Sequence, residues 1–176
     1  LAGTGNGDLL YWDVRDVEEP RLMGTYQVGQ PITALAYLIG DRSVVVGTSE
    51  GVVEIWMPNI DPDKGGDPQL FNIREFSQHG SRVLAISSSQ RDKGFITTDA
   101  SGRFSVHYST SAQTLLDIPG KGIPARGIMF SPKGDGAVMV NEQGELAAYH
   151  IDNEHPEVTF RSLFGAVLYE GYQQAL

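Results

Sequence analysis

The chain contains no cysteine. Disulfides, thiol nucleophiles and thiolate metal sites are therefore excluded, and a reducing and an oxidising compartment fit equally well. Long hydrophobic runs are also missing. The longest apolar stretches, such as Val44-Val45-Val46 and Ala166-Val167-Leu168, fall far short of the ~20 residues a membrane helix requires. No signal peptide is visible at Leu1. The sequence opens on LAGTGNGD with no initiator methionine, giving the expectation of a piece cut from a longer protein. Cations are scarce, with 13 Lys and Arg against 22 Asp and Glu and a net charge of −9. Nucleic acid and anionic lipid both call for a basic face, so this balance disfavours both.

What is present is glycine. There are 21 glycines and 9 prolines among 176 residues, spaced out rather than clustered, as in a protein rich in tight turns. About 40% apolar residues describe an ordinary folded chain, long enough to bury a core. Four segments align on a glycine followed five residues later by a large ring. They are NGDLLYWDV (Gly7, Trp12), EGVVEIWMP (Gly51, Trp56), SGRFSVHYS (Gly102, His107) and QGELAAYHI (Gly144, Tyr149). The glycines lie 44, 51 and 42 residues apart, the period of four-stranded propeller blades.

Each unit makes physical sense. The polar residue before the glycine (Asn6, Glu50, Ser101 or Gln143) opens a hairpin turn in which glycine accepts positive φ. A partly alternating strand follows, and its terminal ring fills the space between neighbouring blades. Upstream lie further strand signals, ITALAYL, RVLAISS and ARGIMFS, then the short apolar runs SVVVGT, GFITTD and GAVMVN. The outer strands are RLMGTY, QLFNIREF and TLLDIP. No segment of helical length has a helical period before residue 156.

These residues carry a resemblance. FSPKGDGAVMVNEQGELAAYHI (Phe130 to Ile151) is similar to the WD-repeat pattern of a phenylalanine, a Ser-Pro-x-Gly turn, a small-residue strand, a polar-Gly turn and an aromatic. Trp12-Asp13 is the Trp-Asp pair itself, and His79 stands where that family often places a Gly-His histidine. Gln78 replaces the glycine there, and the family's buried His-Asp-Ser-Trp set is complete in no blade. The resemblance covers residues 4–151. It implies an all-β fold: a WD-like β-propeller fragment of about three and a half four-stranded blades. A partial blade at 1–14 would precede three fuller ones up to residue 151. Exposed blade edges would allow head-to-tail association into a homo-oligomer.

Residues 152–176 break the period and are expected to form a short helical or irregular tail. Phe160, Leu163, Phe164, Val167 and Leu168 have helix-like spacing. The stretch HPE…SLFG.V.YEGY (His155 to Tyr172) resembles the segment that joins the extracytoplasmic propeller-like domain of some proteobacterial phosphate ABC transporter permeases to their next membrane helix. The resemblance implies a domain on the periplasmic face of the bacterial inner membrane, in contact with the membrane only through segments absent here. Its implied partners are other subunits of an ABC importer and a periplasmic phosphate-binding protein.

Candidate chemistry is sparse. GTGNGD (Gly3, Gly5, Gly7) is followed by a strand, whereas a phosphate-cradling loop must lead into a helix. DPDKGGD (Asp61, Asp63, Gly65, Asp67) has the spacing of a calcium loop, but Asn72 stands at its twelfth position in place of the bidentate Glu. A solvated loop is the better reading. Asp61, Asp63, Lys64 and Asp67 remain candidates for an interaction loop, because Met57 to Gln69 is the longest and most polar connection. His79, His107, His150 and His155 lack the spacing of zinc ligands. Ser49 matches Gly-x-Ser-x-Gly by letter, but a hairpin follows it rather than a helix. Catalytic residues, metals and cofactors are accordingly not expected. The expected function is a non-catalytic scaffold of a phosphate importer. The alternative is a cytoplasmic WD-repeat interaction platform unrelated to transport.

Overall fold

A computed structural model describes residues 1–61, 66–76 and 78–151, together with the backbone of Val158–Leu163 and Ala166–Tyr169. Everything regular among the described residues is β-structure, arranged in four antiparallel sheets. The first holds β1 (Ala2–Gly3), β2 (Asp8–Asp13) and β3 (Arg21–Gln27). The second runs β4 (Ile32–Tyr37), β5 (Val44–Thr48), β6 (Val53–Asn59) and β7 (Gln69–Glu75) in chain order. The third repeats that meander with β8 (Val83–Ser88), β9 (Gly94–Asp99), β10 (Phe104–Tyr108) and β11 (Gln113–Ile118). The fourth has five strands: β12 (Ala125–Phe130), β13 (Gly136–Asn141), β14 (Glu145–His150), β15 (Val158–Leu163) and β16 (Ala166–Tyr169). The first sheet thus extends beyond residue 14 to Gln27.

The sheets are joined through their first strands. β4 lies against β8, and β8 against β12, so the successive sheets fan out as propeller-like blades. Three apolar clusters fill the gaps. Leu9 of the first blade packs with Val44, Val46 and Trp56 of the second. Val45, Val53 and Ile55 meet Val83 and Phe95 of the third. Phe104 and Val106 meet Phe130 and Ala137 of the fourth. Each such buried side chain is worth about 1.5–3 kcal/mol of hydrophobic stabilisation.

The turn before β2, β6, β10 and β14 shows why the glycine recurs. Gly7, Gly51, Gly102 and Gly144 have φ of 84°, 84°, 81° and 77°, the left-handed region. Three residues earlier stand Thr4, Thr48, Asp99 and Asn141. Their side-chain oxygens accept the backbone N–H of Asp8, Val52, Arg103 and Glu145 at 3.0, 3.0, 3.1 and 2.9 Å. The glycine also admits the chain leaving for the next blade. A Cβ on Gly51 would stand 2.3 Å from the carbonyl oxygen of His79. Gly51→Ala is therefore expected to lower stability by at least about 2 kcal/mol, from the φ penalty and the backbone clash together. Gly40 has φ 85° but open space around it, so Gly40→Ala should lose about half as much. Urea midpoints of the two variants test this, and equal losses would count against the packing role.

The tail requires a correction. Where helical or irregular structure was expected, Val158–Leu163 and Ala166–Tyr169 are strands, with β15 paired on β14 and β16 on β15. The apolar residues there have helical spacing, but Val158–Arg161 alternates apolar and polar and opens with the β-branched Val158 and Thr159. The free edge of β14 decides the outcome, because its unpaired N–H and C=O groups favour a fourth strand. Residues 152–157, 164–165 and 170–176, including His155 and Phe164, lie outside the described residues.

Candidate interaction surfaces

The described end of the long loop after β6, Asp67 and Pro68, lies beside the first blade. Asp67 forms an ion pair with Arg21 of β3 at 3.1 Å, whereas Asp63 and Lys64 lie outside the described residues. A cleft of about 530 Å³ opens there between Tyr11, Trp12, Val14 and Arg15 on one side and Asp67 and Pro68 on the other. Its charges are already matched. Arg15 donates to Asp13 at 2.6 Å, and Arg21 is also 4.0 Å from Asp13. Hydrogen bonds from the Arg15 side chain and backbone hold the Asp13 carboxyl at about 2. An incoming anion would have to displace these carboxylates. The cleft therefore suits a neutral or mixed-charge surface rather than phosphate.

The chain's one deeply buried polar chain of hydrogen bonds among the described residues sits in the third blade. His79 and His107 are almost wholly buried, as are Thr97 and Asp99. Asp99 Oδ2 lies 3.2 Å from His79 Nδ1, and His79 Nε2 lies 2.8 Å from Thr97 Oγ1. Thr97 Oγ1 is also 2.8 Å from His107 Nε2, whose Nδ1 lies 3.0 Å from Thr114 Oγ1. A carboxylate only accepts, so His79 Nδ1 carries the proton and Nε2 accepts from Thr97. Thr97 has then used its proton, so His107 Nε2 donates to it and Nδ1 accepts from Thr114. Every member is satisfied with both imidazoles neutral. Burial pushes the His79 pKa down against the opposing pull of Asp99. Burial, with His79 nearby, pushes His107 down to about 3.

His107 holds the ring position that Trp56 fills in the second blade and Tyr149 in the fourth. It stacks on Phe95 with centroids 4.8 Å apart and meets Phe76 edge-on at 5.2 Å. Trp56 is 8% exposed, tilts against Tyr26 and donates its indole N–H to Glu54 Oε2 at 2.8 Å. Tyr149 stacks on Phe104 at 4.7 Å. Trp12, at the same position of the first blade, is only partly buried. Sequence reading placed His79 and His107 in structural roles without linking them, and it missed Thr97, Asp99 and Thr114. The available signal was the position three residues before each turn glycine, where Asp99 alone among the four carries a full charge.

Ser49 sits in the hairpin between β5 and β6, where its hydroxyl approaches Glu50 at 3.4 Å, with no strand-to-helix elbow. Among the described residues no three His, Asp or Glu side chains converge to hold a metal ion, and no helix is long and apolar enough to cross a membrane. No protein-family model matches the chain, and no curated protein matches it.

Proposed function

We propose that the chain is a non-catalytic scaffold of WD-like propeller blades on the extracytoplasmic face of a phosphate ABC transporter permease, serving phosphate import. The observation that carries this reading is the tail: the HPE…SLFG.V.YEGY stretch from His155 to Tyr172, at the end of an array of glycine-turn blades, is similar to the segment that leads such permeases back into the membrane. The net charge of −9 and the ion-paired arginines argue that the blades do not themselves bind phosphate. Their work is done through surfaces, on other importer subunits or on a periplasmic phosphate-binding protein. The buried His79–Asp99 pair, set as in a WD repeat, favours equally a general interaction platform in the cytoplasm.

A binding experiment separates them. The chain, immobilised, should capture a phosphate-binding protein with micromolar affinity, and the affinity should change several-fold when phosphate is bound. The chain alone should show no heat of binding with inorganic phosphate. In spheroplasts of the source cells, external protease should cleave the protein that carries these residues. Complete protection from that protease, with no capture of the binding protein, would leave the cytoplasmic platform.

A further inference from the structure

The buried histidine network of the third blade can run in two directions. Three of its links join atoms that can each hold or release a proton. They are His79 Nε2 to Thr97 Oγ1 at 2.8 Å, Thr97 Oγ1 to His107 Nε2 at 2.8 Å, and His107 Nδ1 to Thr114 Oγ1 at 3.0 Å. The inner end is fixed, because the Asp99 carboxylate only accepts from His79 Nδ1. The outer end approaches solvent. Thr114 stands on the edge strand β11 and is partly buried, whereas His79, Thr97, Asp99 and His107 are each at most 3% exposed. With both rings neutral, every bond in the network donates toward Asp99.

One further proton can enter while every heavy atom stays in place. The Thr114 hydroxyl proton passes to His107 Nδ1 and is replaced from solvent. The His107 Nε2 proton passes to Thr97, and the Thr97 proton passes to His79 Nε2. Each intermediate group gains one bond to hydrogen and loses another, so the proton taken from solvent is the only net change. His79 is then an imidazolium beside the Asp99 carboxylate, and the three outer bonds donate toward Thr114. No member of the network is left without a partner.

A second proton has no such place. On His107 it would make Thr97 accept from both rings, strand the Thr97 hydroxyl proton, and set two cations at ring centroids 6.4 Å apart. His107 also lies against Phe76 and Phe95, at 5.2 and 4.8 Å, whereas His79 has Asp99 beside it. The other charges that bear on the rings, Arg103 and Asp117, are paired with each other. Burial holds His107 down to about 3, while Asp99 opposes that effect at His79.

We propose that this network is a single-proton relay and switch: a proton admitted at Thr114 is stored on His79, and the bonds through Thr97 and His107 reverse as it arrives. The Thr114 hydroxyl, which donates inward at neutral pH, then becomes free to donate at the surface of β11. A proton held in the core is thereby displayed on an edge strand. The relay depends on the third blade alone and is independent of any role in transport.

Imidazole nitrogen-15 and carbon-13 shifts of the folded chain, followed downward from about pH 8, test it. His107 should change from the Nε2–H to the Nδ1–H tautomer at the same midpoint at which His79 becomes doubly protonated. Thr97→Ser keeps the hydroxyl and should keep the two changes coincident. Thr97→Val removes the link, so the His107 tautomer should no longer follow His79. The His79 midpoint should then fall by about one pH unit, because the imidazolium has lost an acceptor. A His107 ring that keeps its Nε2–H tautomer while His79 gains a proton overturns the proposal. So does a chain that unfolds before either ring changes, which the same spectra report. If Thr97→Val does not fold, coincidence of the two midpoints in the wild-type chain still decides.

Discussion

Asp99→Ala is expected to lower folding stability by about 3–5 kcal/mol, the largest loss from any single truncation of a polar side chain in this chain. Asp99 is 1% exposed and serves four donors. It accepts from His79 Nδ1 at 3.2 Å, from the Ser101 hydroxyl at 2.6 Å, and from the backbone N–H of Ser101 and Arg103 at 2.9 and 3.1 Å. Truncation strands the buried imidazole and undoes the turn at Gly102 in one step, and each buried group left without a partner costs about 1–3 kcal/mol. Asn141→Ala provides the comparison. Asn141 holds the equivalent turn of the fourth blade through Gln143 and Glu145 and has no histidine to anchor, so about 1–2 kcal/mol is expected there.

The direction of the hydrogen bonds gives a sharper test. Asp99→Asn can present an N–H to His79, which then accepts at Nδ1 and donates from Nε2. Thr97 turns its proton toward His107, whose Nδ1–H now donates to Thr114. The whole chain of bonds reverses without leaving an orphan. Asp99→Asn should therefore lose much less than Asp99→Ala, about 1–2 kcal/mol for the exchange of a charged acceptor for a neutral one. Urea titrations of the three variants measure these values. Equal losses for the Ala and Asn variants would show that the charge of Asp99, rather than the continuity of the bonds, holds the blade.

The glycine turns could be read from the sequence because their cause is local. A positive φ at one residue, followed five places on by a ring, is visible within nine letters, and it recurs at the spacing of a blade. The polar network could be read only at one end. His79 stood out against the repeat pattern, but Thr97 and Asp99 lie 18 and 20 residues away and look like ordinary strand-end residues. Their importance comes from burial, which the chain acquires only when β9 is covered by the second blade. The Arg21–Asp67 pair is hidden for the same reason, since it joins neighbouring blades. The tail misled because its apolar residues have helical spacing, while a neighbouring strand edge, which the sequence does not display, made the choice.

Acid should destabilise the fold well above the pH at which carboxylates titrate. In the unfolded chain a histidine binds its proton near pH 6.5, whereas His107 in the folded chain does so only near 3. Between those values the unfolded state holds one more proton than the folded state, so folding stability rises with pH and is lost as pH falls. The contribution is complete above about pH 6.5. It declines by up to about 1.4 kcal/mol per unit of pH below that, reaching about 2 kcal/mol at pH 5 from His107 alone. His79 is shifted in the same direction by burial and adds to the slope. The two rings are 6.4 Å apart, so a proton on one makes the next proton costlier still. Asp99 titrates in a different window. Burial raises its pKa, but the bonds from Ser101, Arg103 and His79 outweigh this and hold it below the ordinary value. The stability due to Asp99 is thus present above about pH 4 and is lost only below it. Urea midpoints at pH 7.5, 6.5, 5.5 and 5.0, roughly spanning the histidine window, should fall steadily for the wild-type chain. His107→Phe keeps a ring between Phe76 and Phe95 and should flatten that slope by about half, at the cost of lower stability at neutral pH. A wild-type midpoint that does not move between neutrality and pH 5 would mean that protons reach neither ring on unfolding, and the buried neutral pair would have to be abandoned.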